Sequence, residues 1–229
     1  MSLKIRFVCA TRQDPDRFDT ATALGRSLAH YQSYSFVELK LFPNNSRGLP
    51  ALYNQALREA ADDPAILVFV HDDIHLCDFF WPNHLVEALS KFDVVGLAGN
   101  KRRVGNQPGW AFIDDRFTWD APENFSGIVA HGTGFPAQIM NFFGFPGQEV
   151  KLLDGMWLAA RSEMLLANDL HFDERFDFNF YDLDFCREAE VRKLRMGTCT
   201  VSVVHESPGN FDTPSWRSGY QKYLDKWKS

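Results

Sequence analysis

The first hundred residues alternate between β-rich runs and helical stretches, and this alternation constrains the fold more than any other feature of the sequence. The runs are rich in β-branched and aromatic residues, and the stretches between them show helical spacing of apolar residues. The β-rich runs are 4–10, 35–42, 65–71 and 93–99, and the helical stretches are 20–31, 49–61 and 83–92. Most of the runs are almost continuously apolar, which is typical of strands buried on both faces. The pattern predicts an α/β fold with a mostly parallel central sheet and helices on both faces.

Polar residues follow each predicted strand. Thr11 and Arg12 come directly after the first strand, and two asparagines at 44–45 follow the second. The third strand ends in His-Asp-Asp-Ile-His at 71–75, and a polar segment at 100–103 follows the fourth. Ligands of open α/β sheets bind beyond the carboxyl ends of the strands. The sequence therefore predicts that these side chains lie along one ligand-binding edge.

The remainder of the chain is less regular. Between residues 104 and 148, glycine, proline and aromatic residues cluster without helical spacing, which predicts loops and short antiparallel strands suited to substrate contacts. Later elements are expected as strands at 150–160 and 198–207 and as helices at 161–169, 180–194 and 213–229. No repeat or low-complexity linker interrupts the 229 residues, so we expect one domain.

Composition limits the partners and the location of the protein. A net charge of −6 disfavours binding to a nucleic-acid backbone. The cysteines are scattered without a C-x-x-C pair, and Cys9, Cys186 and Cys199 lie in apolar or helical stretches. This arrangement predicts free, buried thiols in a reducing, cytoplasmic environment. No apolar run reaches the length of a membrane span, so we expect no transmembrane segment.

Asp72 and Asp73 end the third strand as adjacent acids. Adjacent residues of a strand point to opposite faces, so the two carboxylates cannot have the same role. One could contact a hydroxyl group of a nucleotide and the other a divalent cation, since carboxylate oxygens suit Mg²⁺ or Mn²⁺. Alternatively, either acid could cap the turn that follows the strand.

Four further residues are candidates for a site. Asp182 and Asp184 lie near the start of the predicted helix 180–194, where the helix macrodipole stabilises acids whether or not they are functional. Asp154 precedes a glycine inside a predicted strand, and such a glycine permits the close approach of a ligand or a kink in the backbone. His205 ends an apolar strand, where a neutral imidazole could bind a metal or have only a structural role.

The order of these residues along the chain resembles that of a known family. The segments that carry the resemblance are FVHDD (69–73), LLDGMWLAARSE (152–163), FDERFDFNFYDLDFCREAEV (172–191) and VVHES (203–207). Together they resemble the inverting family 2 glycosyltransferases with the GT-A fold, in particular their compact bacterial branch. The resemblance covers residues 4–207. It implies the GT-A fold of nucleotide-diphospho-sugar transferases, with a loop-rich acceptor region.

The resemblance also implies roles for the residues at the ends of the strands. Thr11 and Arg12 would lie near the nucleobase of the donor, and Asp72 would face its ribose. Asp73 matches the last acid of the family's Asp-x-Asp motif and would bind a divalent cation, Mn²⁺ or Mg²⁺. His205 matches the histidine that completes this metal site.

The catalytic and acceptor residues follow from the same resemblance. Asp182 matches the proposed general base, and Asp184, the next acid of the helix, is the second catalytic candidate. Asp154 matches the acid of a turn at the floor of the acceptor site. We group it with Thr11, Arg12 and Asp72 as a binding residue. Two positions depart from the family pattern: His71 stands at the first acid of Asp-x-Asp, and Tyr181 stands at the glutamate before the base.

The implied activity is transfer of a sugar from a nucleoside-diphosphate donor, expected to be a UDP-sugar, to a glycan or other hydroxyl acceptor with inversion. Residues 1–103 would form the nucleotide-binding half, 104–207 the acceptor and catalytic half, and 208–229 a tail helix. The alternative is a degraded GT-A domain that binds nucleotide or glycan without transfer. A nucleotidyltransferase or a Rossmann dehydrogenase is disfavoured because no glycine-rich loop follows the first strand. A metal hydrolase built on residues 71–75 stays possible, although it leaves His205 without a role.

Overall fold

The computed structural model describes residues 3–207, 209 and 211–228. The strands are β1 (Ile5–Ala10), β2 (Val37–Phe42), β3 (Ile66–His71), β4 (Ile74–Leu76), β5 (Val94–Gly96), β6 (Ala98–Asn100), β7 (Phe125–His131), β8 (Ile139–Gly144), β9 (Glu149–Val150), β10 (Leu152–Leu153), β11 (Trp157–Arg161), β12 (Met196–Thr198) and β13 (Val203–His205). The helices are α1 (Phe18–Ala21), α2 (Ala23–Leu28), α3 (Leu49–Glu59), α4 (Trp81–Ala88), α5 (Ser162–Ala167), α6 (Tyr181–Val191) and α7 (Pro214–Trp227). Short 3₁₀ turns occur at Pro15–Arg17, Ala29–Tyr31 and Pro122–Asn124.

The larger of the two sheets has the strand order β2-β1-β3-β11-β5-β12-β9. The prediction of parallel strands is confirmed for β1 with β2 and β3, and for β5 with β12. The sheet as a whole is mixed, because β11 runs antiparallel to both of its neighbours, β3 and β5. β11 enters through a short turn from the second sheet rather than through a helical crossover, so its direction is not constrained to be parallel.

The second sheet has the order β10-β6-β7-β13-β4, with β8 paired to β7. The chain passes between the two sheets seven times, from β3 to β4, β4 to β5, β5 to β6, β8 to β9, β9 to β10, β10 to β11 and β12 to β13. These crossings correct the prediction of continuous strands at 93–99, 150–160 and 198–207. Each of those runs is divided, because a short break of one to four residues redirects the chain from one sheet to the other. The antiparallel pair β7–β8 confirms the prediction for the loop-rich region.

The hydrophobic core lies on both faces of the larger sheet. In β3, Leu67 and Phe69 pack into one cluster of buried residues, and Ile66, Val68 and Val70 pack into the other. This alternation explains the continuous apolar run in the sequence, since each face of the strand is covered by helices. The same alternation places the side chain of His71, the last residue of β3, on the same face as Phe69.

The helices agree with the predicted stretches except for the first. That stretch is divided into α1 and α2, since Thr22 adopts an extended conformation and its hydroxyl accepts a hydrogen bond from the Gly25 amide at the start of α2. The predicted tail helix is α7, and Ser229 lies outside the described residues. All cysteines are free thiols, as expected. None of the helices in the described part of the chain combines the length and apolar character that crossing a bilayer requires.

Candidate functional site

A cleft of about 550 Å³ lies where the chain passes between the two sheets. The crossing from β3 to β4 contributes Asp73, the crossing from β10 to β11 contributes Asp154, and the end of β13 contributes His205. The first turn of α6 contributes Asp182 to the same cleft. The structure therefore brings together four of the residues that the sequence singled out.

His71, Asp73 and His205 form a cluster that could hold a metal ion. One ligand atom from each residue lies within 4.8 Å of the others. The Oδ2 atom of Asp73 is 3.4 Å from Nε2 of His205, while its Oδ1 atom is buried and has no hydrogen-bond partner among the described residues. A buried carboxylate oxygen without a partner is costly unless a ligand satisfies it. Two imidazoles and one carboxylate fit Mn²⁺ or another transition metal better than Mg²⁺, which prefers oxygen ligands.

The protonation states of Asp73 and His71, though not that of His205, are those that a metal requires. Burial opposes ionisation of Asp73, but the hydrogen bond from His205 and the nearby imidazoles outweigh it and lower the pKa of Asp73 to about 2. Burial lowers the pKa of His71, so its imidazole is neutral near pH 7. Burial also acts to lower the pKa of His205, but its contact with Asp73 raises the pKa. A cation would therefore compete with a proton for His205.

Tyr181 fixes the orientation and tautomer of His71. The Tyr181 hydroxyl donates to the carbonyl oxygen of Gly155 at 2.8 Å and lies 2.8 Å from Nε2 of His71. A hydroxyl has a single proton to donate, so it can only accept from the imidazole. His71 therefore carries its proton on Nε2, and its Nδ1 lone pair is free for a metal. The ring of Phe178 stacks on the His71 ring at 5.4 Å and holds its plane.

Asp182 lies half-buried at the start of α6, beside the turn that contains Gly155. The Gly155 amide donates to Oδ2 of Asp182 at 3.0 Å. Burial, together with the negative charge of Asp154, raises the pKa of Asp182 to about 7. A carboxylate with this pKa can accept a proton at neutral pH, which is the requirement for a general base.

The last helix, α7, supports the start of α6. Phe180, the residue before α6, has a left-handed backbone conformation with φ of 69°, which a bulky side chain rarely adopts. Its ring packs against Trp216, Tyr220 and Tyr223 of α7. These contacts hold the strained residue in place, and the turn it forms directs the side chain of Asp182 into the cleft.

Asp154 lies on the floor between this cleft and a second cavity of about 470 Å³. Its Oδ2 accepts a hydrogen bond from Nε1 of Trp110 at 2.6 Å, and its Oδ1 accepts from the Met156 amide at 2.8 Å. We call the second cavity the aromatic pocket, because Trp110, Phe112, Trp119, Phe143 and Phe211 line it.

Thr11, Arg12 and Asp72 line a third cavity, of about 840 Å³, at the carboxyl ends of β1 and β2. The Thr11 hydroxyl donates to Oδ2 of Asp72 at 2.6 Å. Asp72 and Asp73 thus line different cavities, although β3 ends at His71 and both acids lie in the turn after the strand rather than in it. Arg12 lines both the third cavity and the cleft, and it forms no ion pair with any residue that the structure describes.

Solved structures resemble this arrangement of strands and helices over almost the whole chain. GalNAc-T7 with UDP, GalNAc and Mn²⁺ is 10% identical in sequence; the match covers 98% of this chain and 48% of that one, with a TM-score of 0.53. The catalytic domain of Drosophila beta1,4-galactosyltransferase 7 in complex with xylobiose is 11% identical; the match covers 96% and 80%, with a TM-score of 0.51.

The chain has the GT-A fold. At these identities the similarity establishes the GT-A fold and leaves the activity to be argued from the site. No protein-family model matches the sequence, and no curated protein matches it. In this GT-A domain the cleft lies at the carboxyl end of β3, at the ligand-binding edge that the sequence predicts.

Asp184 lies outside the cleft, and its position favours a structural role over the catalytic role that the resemblance implies. Its carboxylate is fully buried, accepts a hydrogen bond from Nε1 of Trp227 at 2.8 Å and forms an ion pair with Lys226 at 2.7 Å. The reason is helical geometry: residues two apart on a helix point about 200° apart. When Asp182 faces the cleft, Asp184 must therefore face α7.

Sequence reasoning did not identify His71 as a possible metal ligand, nor Phe178 and Ser207 as its neighbours in the cleft. The signal for His71 was present, since residues two apart in a strand share a face and His71 precedes Asp73 by two. Ser207 lies with its hydroxyl 3.2 Å from Nε2 of His205. No pattern in the sequence marks Phe178 or Ser207, because both reach the cleft from loops.

Proposed function

We propose that this protein is a glycosyltransferase that transfers a sugar from a nucleoside diphosphate, with UDP as the expected nucleotide, to the hydroxyl group of an acceptor. The observation that carries the proposal is that the His71, Asp73 and His205 cluster opens into the same cleft as Asp182. A possible metal site and a possible base lie together in a GT-A fold, and this combination supports transfer from a diphosphate donor.

The donor would occupy the third cavity and extend into the cleft. Thr11 and Asp72 would bind the nucleoside, since a carboxylate held by a threonine hydroxyl is well placed to accept from ribose hydroxyls. Arg12, between the two cavities, would bind the diphosphate with its guanidinium. Residues 1–103 would then form the nucleotide-binding half and residues 104–207 the acceptor and catalytic half.

Asp73, His205 and His71 would hold a divalent cation, with Mn²⁺ favoured by the two imidazoles. When bound, such a cation would neutralise the charge that develops on the departing diphosphate. Asp182 would accept the proton of the acceptor hydroxyl as that oxygen attacks the anomeric carbon. A single displacement of this kind inverts the configuration of the anomeric carbon.

Calorimetric titration with UDP, with and without Mn²⁺, tests the proposal. We expect UDP to bind more tightly with Mn²⁺, and the variant Asp73→Asn to lose this enhancement while it still binds UDP alone. Hydrolysis of bound UDP-sugars, followed by NMR of the released sugar, reports inversion. Absence of UDP binding under both conditions would contradict the proposed function.

The second candidate is a GT-A domain that binds nucleotide or glycan without transfer. Tyr181 favours this second candidate, because the family that the sequence resembles has a glutamate at the position of this tyrosine. The two candidates differ in one measurement. If UDP-sugars bind with Mn²⁺ but are neither transferred nor hydrolysed, and Asp182→Asn changes nothing, the domain only binds.

A further inference from the structure

The hairpin formed by β7 and β8 is without charge and is strongly exposed. Residues 124–148 contain no Asp, Glu, Lys or Arg, although 24% of the whole chain is charged. Large apolar side chains nevertheless face solvent there: Met140 is 73% exposed, Phe142 55% and Phe145 77%. Soluble proteins rarely expose contiguous apolar patches of this kind unless the patch binds something.

Both faces of β8 carry large apolar side chains, with Asn141 the one polar side chain of the strand, and the two faces meet different surroundings. Ile139 and Phe143 point to one face and line the aromatic pocket. Met140 and Phe142 point to the opposite face, which has no covering element among the described residues. In an antiparallel sheet with one face in water, the solvent face normally carries polar side chains. Here the outer face lacks them.

The aromatic pocket is continuous with the catalytic cleft. Trp110, Asp154 and His205 line both cavities. Away from the cleft, Phe112, Trp119 and the exposed Ile139 form apolar walls, and the one carboxylate there, Glu206, is paired with Arg26. A molecule with its reacting hydroxyl near Asp182 would therefore extend along an apolar wall toward β8.

We propose that the acceptor is an amphiphile, with its hydroxyl-bearing head in the cleft and its apolar chain in the aromatic pocket, and that the outer face of β8 docks onto the neutral lipid surface that carries it. This inference rests on the proposed glycosyl transfer. A small soluble acceptor would fill the pocket but leave Met140 and Phe142 in water. An amphiphile held in a lipid surface would cover both faces of β8, with its own chain in the pocket and the surrounding lipid against the outer face. The surface is expected to be neutral, because the hairpin is uncharged and a chain of net charge −6 is repelled by anionic lipids.

The pocket is tested by titration with maltose and with hexyl, octyl and decyl maltoside, each below its critical micelle concentration. We expect affinity to rise about fourfold per added methylene, as for transfer of a methylene out of water. Ile139→Gln, on the pocket face, should weaken decyl maltoside binding roughly tenfold. Met140→Gln, the neighbouring residue on the outer face, is the matched control and should leave this affinity unchanged. Affinity that does not depend on chain length would overturn the pocket assignment.

The docking surface is tested by co-sedimentation with phosphatidylcholine vesicles. The wild-type chain should bind, the double variant Met140→Gln/Phe142→Gln should lose most of the binding, and phosphatidylserine vesicles should bind more weakly. Phe79→Gln is the control, since Phe79 is comparably exposed outside the hairpin. Equal binding by the double variant would overturn the proposal. A dimer in solution that the double variant dissolves, without vesicle binding, would assign the hairpin to self-association instead.

Neither experiment requires a donor or turnover, so its failure can be told apart from failure of the proposed function. If UDP binds with Mn²⁺ but neither alkyl maltosides nor vesicles bind, glycosyl transfer stands and the amphiphilic acceptor is wrong. If the amphiphiles bind but UDP does not, the proposed transferase is wrong, and so is the assignment of the amphiphile as its acceptor.

Discussion

The Tyr181 hydroxyl lies 2.8 Å from Nε2 of His71, so the residue before the candidate base contacts a candidate metal ligand. Tyr181→Phe removes the acceptor that fixes the imidazole tautomer. Loss of such an outer partner typically weakens metal affinity about 10- to 100-fold. We expect this loss for Mn²⁺, measured by calorimetry, while UDP binding without metal is retained.

The matched control is Tyr53→Phe. The Tyr53 ring packs 5.9 Å from the Tyr181 ring, and its buried hydroxyl interacts with the Tyr181 hydroxyl but forms no hydrogen bond with His71 among the described residues. Its removal should therefore leave Mn²⁺ affinity unchanged. Equal losses in the two variants would show that packing, rather than the contact with His71, determines the affinity.

Asp182→Asn should abolish transfer and at the same time stabilise the fold at alkaline pH. The pKa of Asp182 is raised from 3.8 to about 7, so the folded protein opposes its ionisation. The resulting destabilisation is absent below pH 4, grows between pH 4 and 7, and is complete above pH 7. For this half-buried group we expect Asp182→Asn to gain about 2 kcal/mol at pH 8 relative to pH 4. Urea unfolding at the two pH values measures the difference, and an equal effect at both would contradict the raised pKa.

The pH dependence of turnover should reflect the same group. A base must be ionised to accept a proton, so we expect the rate of transfer or donor hydrolysis to rise as pH increases through about 7. The rate is measured with saturating Mn²⁺ and donor, so that binding does not limit it. A rate that falls over this range would assign the base to another residue.

Gly155→Ala should damage catalysis more than donor binding. A Cβ atom at this position would lie 2.6 Å from the Tyr181 hydroxyl and 2.9 Å from Cβ of Asp182. Both distances are shorter than van der Waals contact, so the start of α6 must move. We expect turnover to fall at least about 100-fold, as for other small displacements of catalytic groups. UDP affinity is expected to depend on Thr11 and Asp72, which do not contact Gly155, and should stay within about twofold; a large loss of it would show that the damage is global.

Lys226→Met should destabilise the protein without affecting the cleft. The Lys226 ammonium group contacts the carboxylates of Asp173, Asp184 and Glu188 at 2.7–2.9 Å. Its removal leaves the fully buried Asp184 without a cation, which typically costs about 3–5 kcal/mol. Lys222→Met on the same helix is the control: its ammonium group bonds to a single exposed carbonyl, so we expect less than about 0.5 kcal/mol. If the folded Lys226→Met variant bound Mn²⁺ more weakly than the wild type, Asp184 would have a role in the functional site as well as in stability.

The sequence predicts β1 and β3 well, because both strands are buried on both faces and carry an unambiguous apolar run. It also predicts that Asp72 and Asp73 point apart, and they do line different cavities, but the premise of strand alternation was wrong because both acids lie in the turn after β3. It could not predict the divided strand at 150–160. Leu152 and Leu153 are as apolar as Trp157 and Leu158, and only pairing with distant strands shows that they belong to different sheets.

The choice between Asp182 and Asp184 was also beyond the sequence. Both acids flank the buried stripe of Leu183 and Cys186, so helical spacing places either one toward the cleft. Contacts with α7 decide between them, and these join residues about forty positions apart. The role of residues 124–148 could not be predicted for a related reason. An uncharged aromatic stretch is equally typical of a core, and only its exposure in the folded chain shows otherwise.

Two of the candidate metal ligands come from the ends of strands in different sheets, with His71 on β3 and His205 on β13. A cation bound there would act as a cross-link between parts of the chain that meet only after nearly all of it has folded. Because it would bind the folded protein alone, a 100-fold excess over its dissociation constant would add about 2.7 kcal/mol to stability. Resistance to heat would thus depend on metal supply. A cell short of the metal would lose the protein itself as well as its activity.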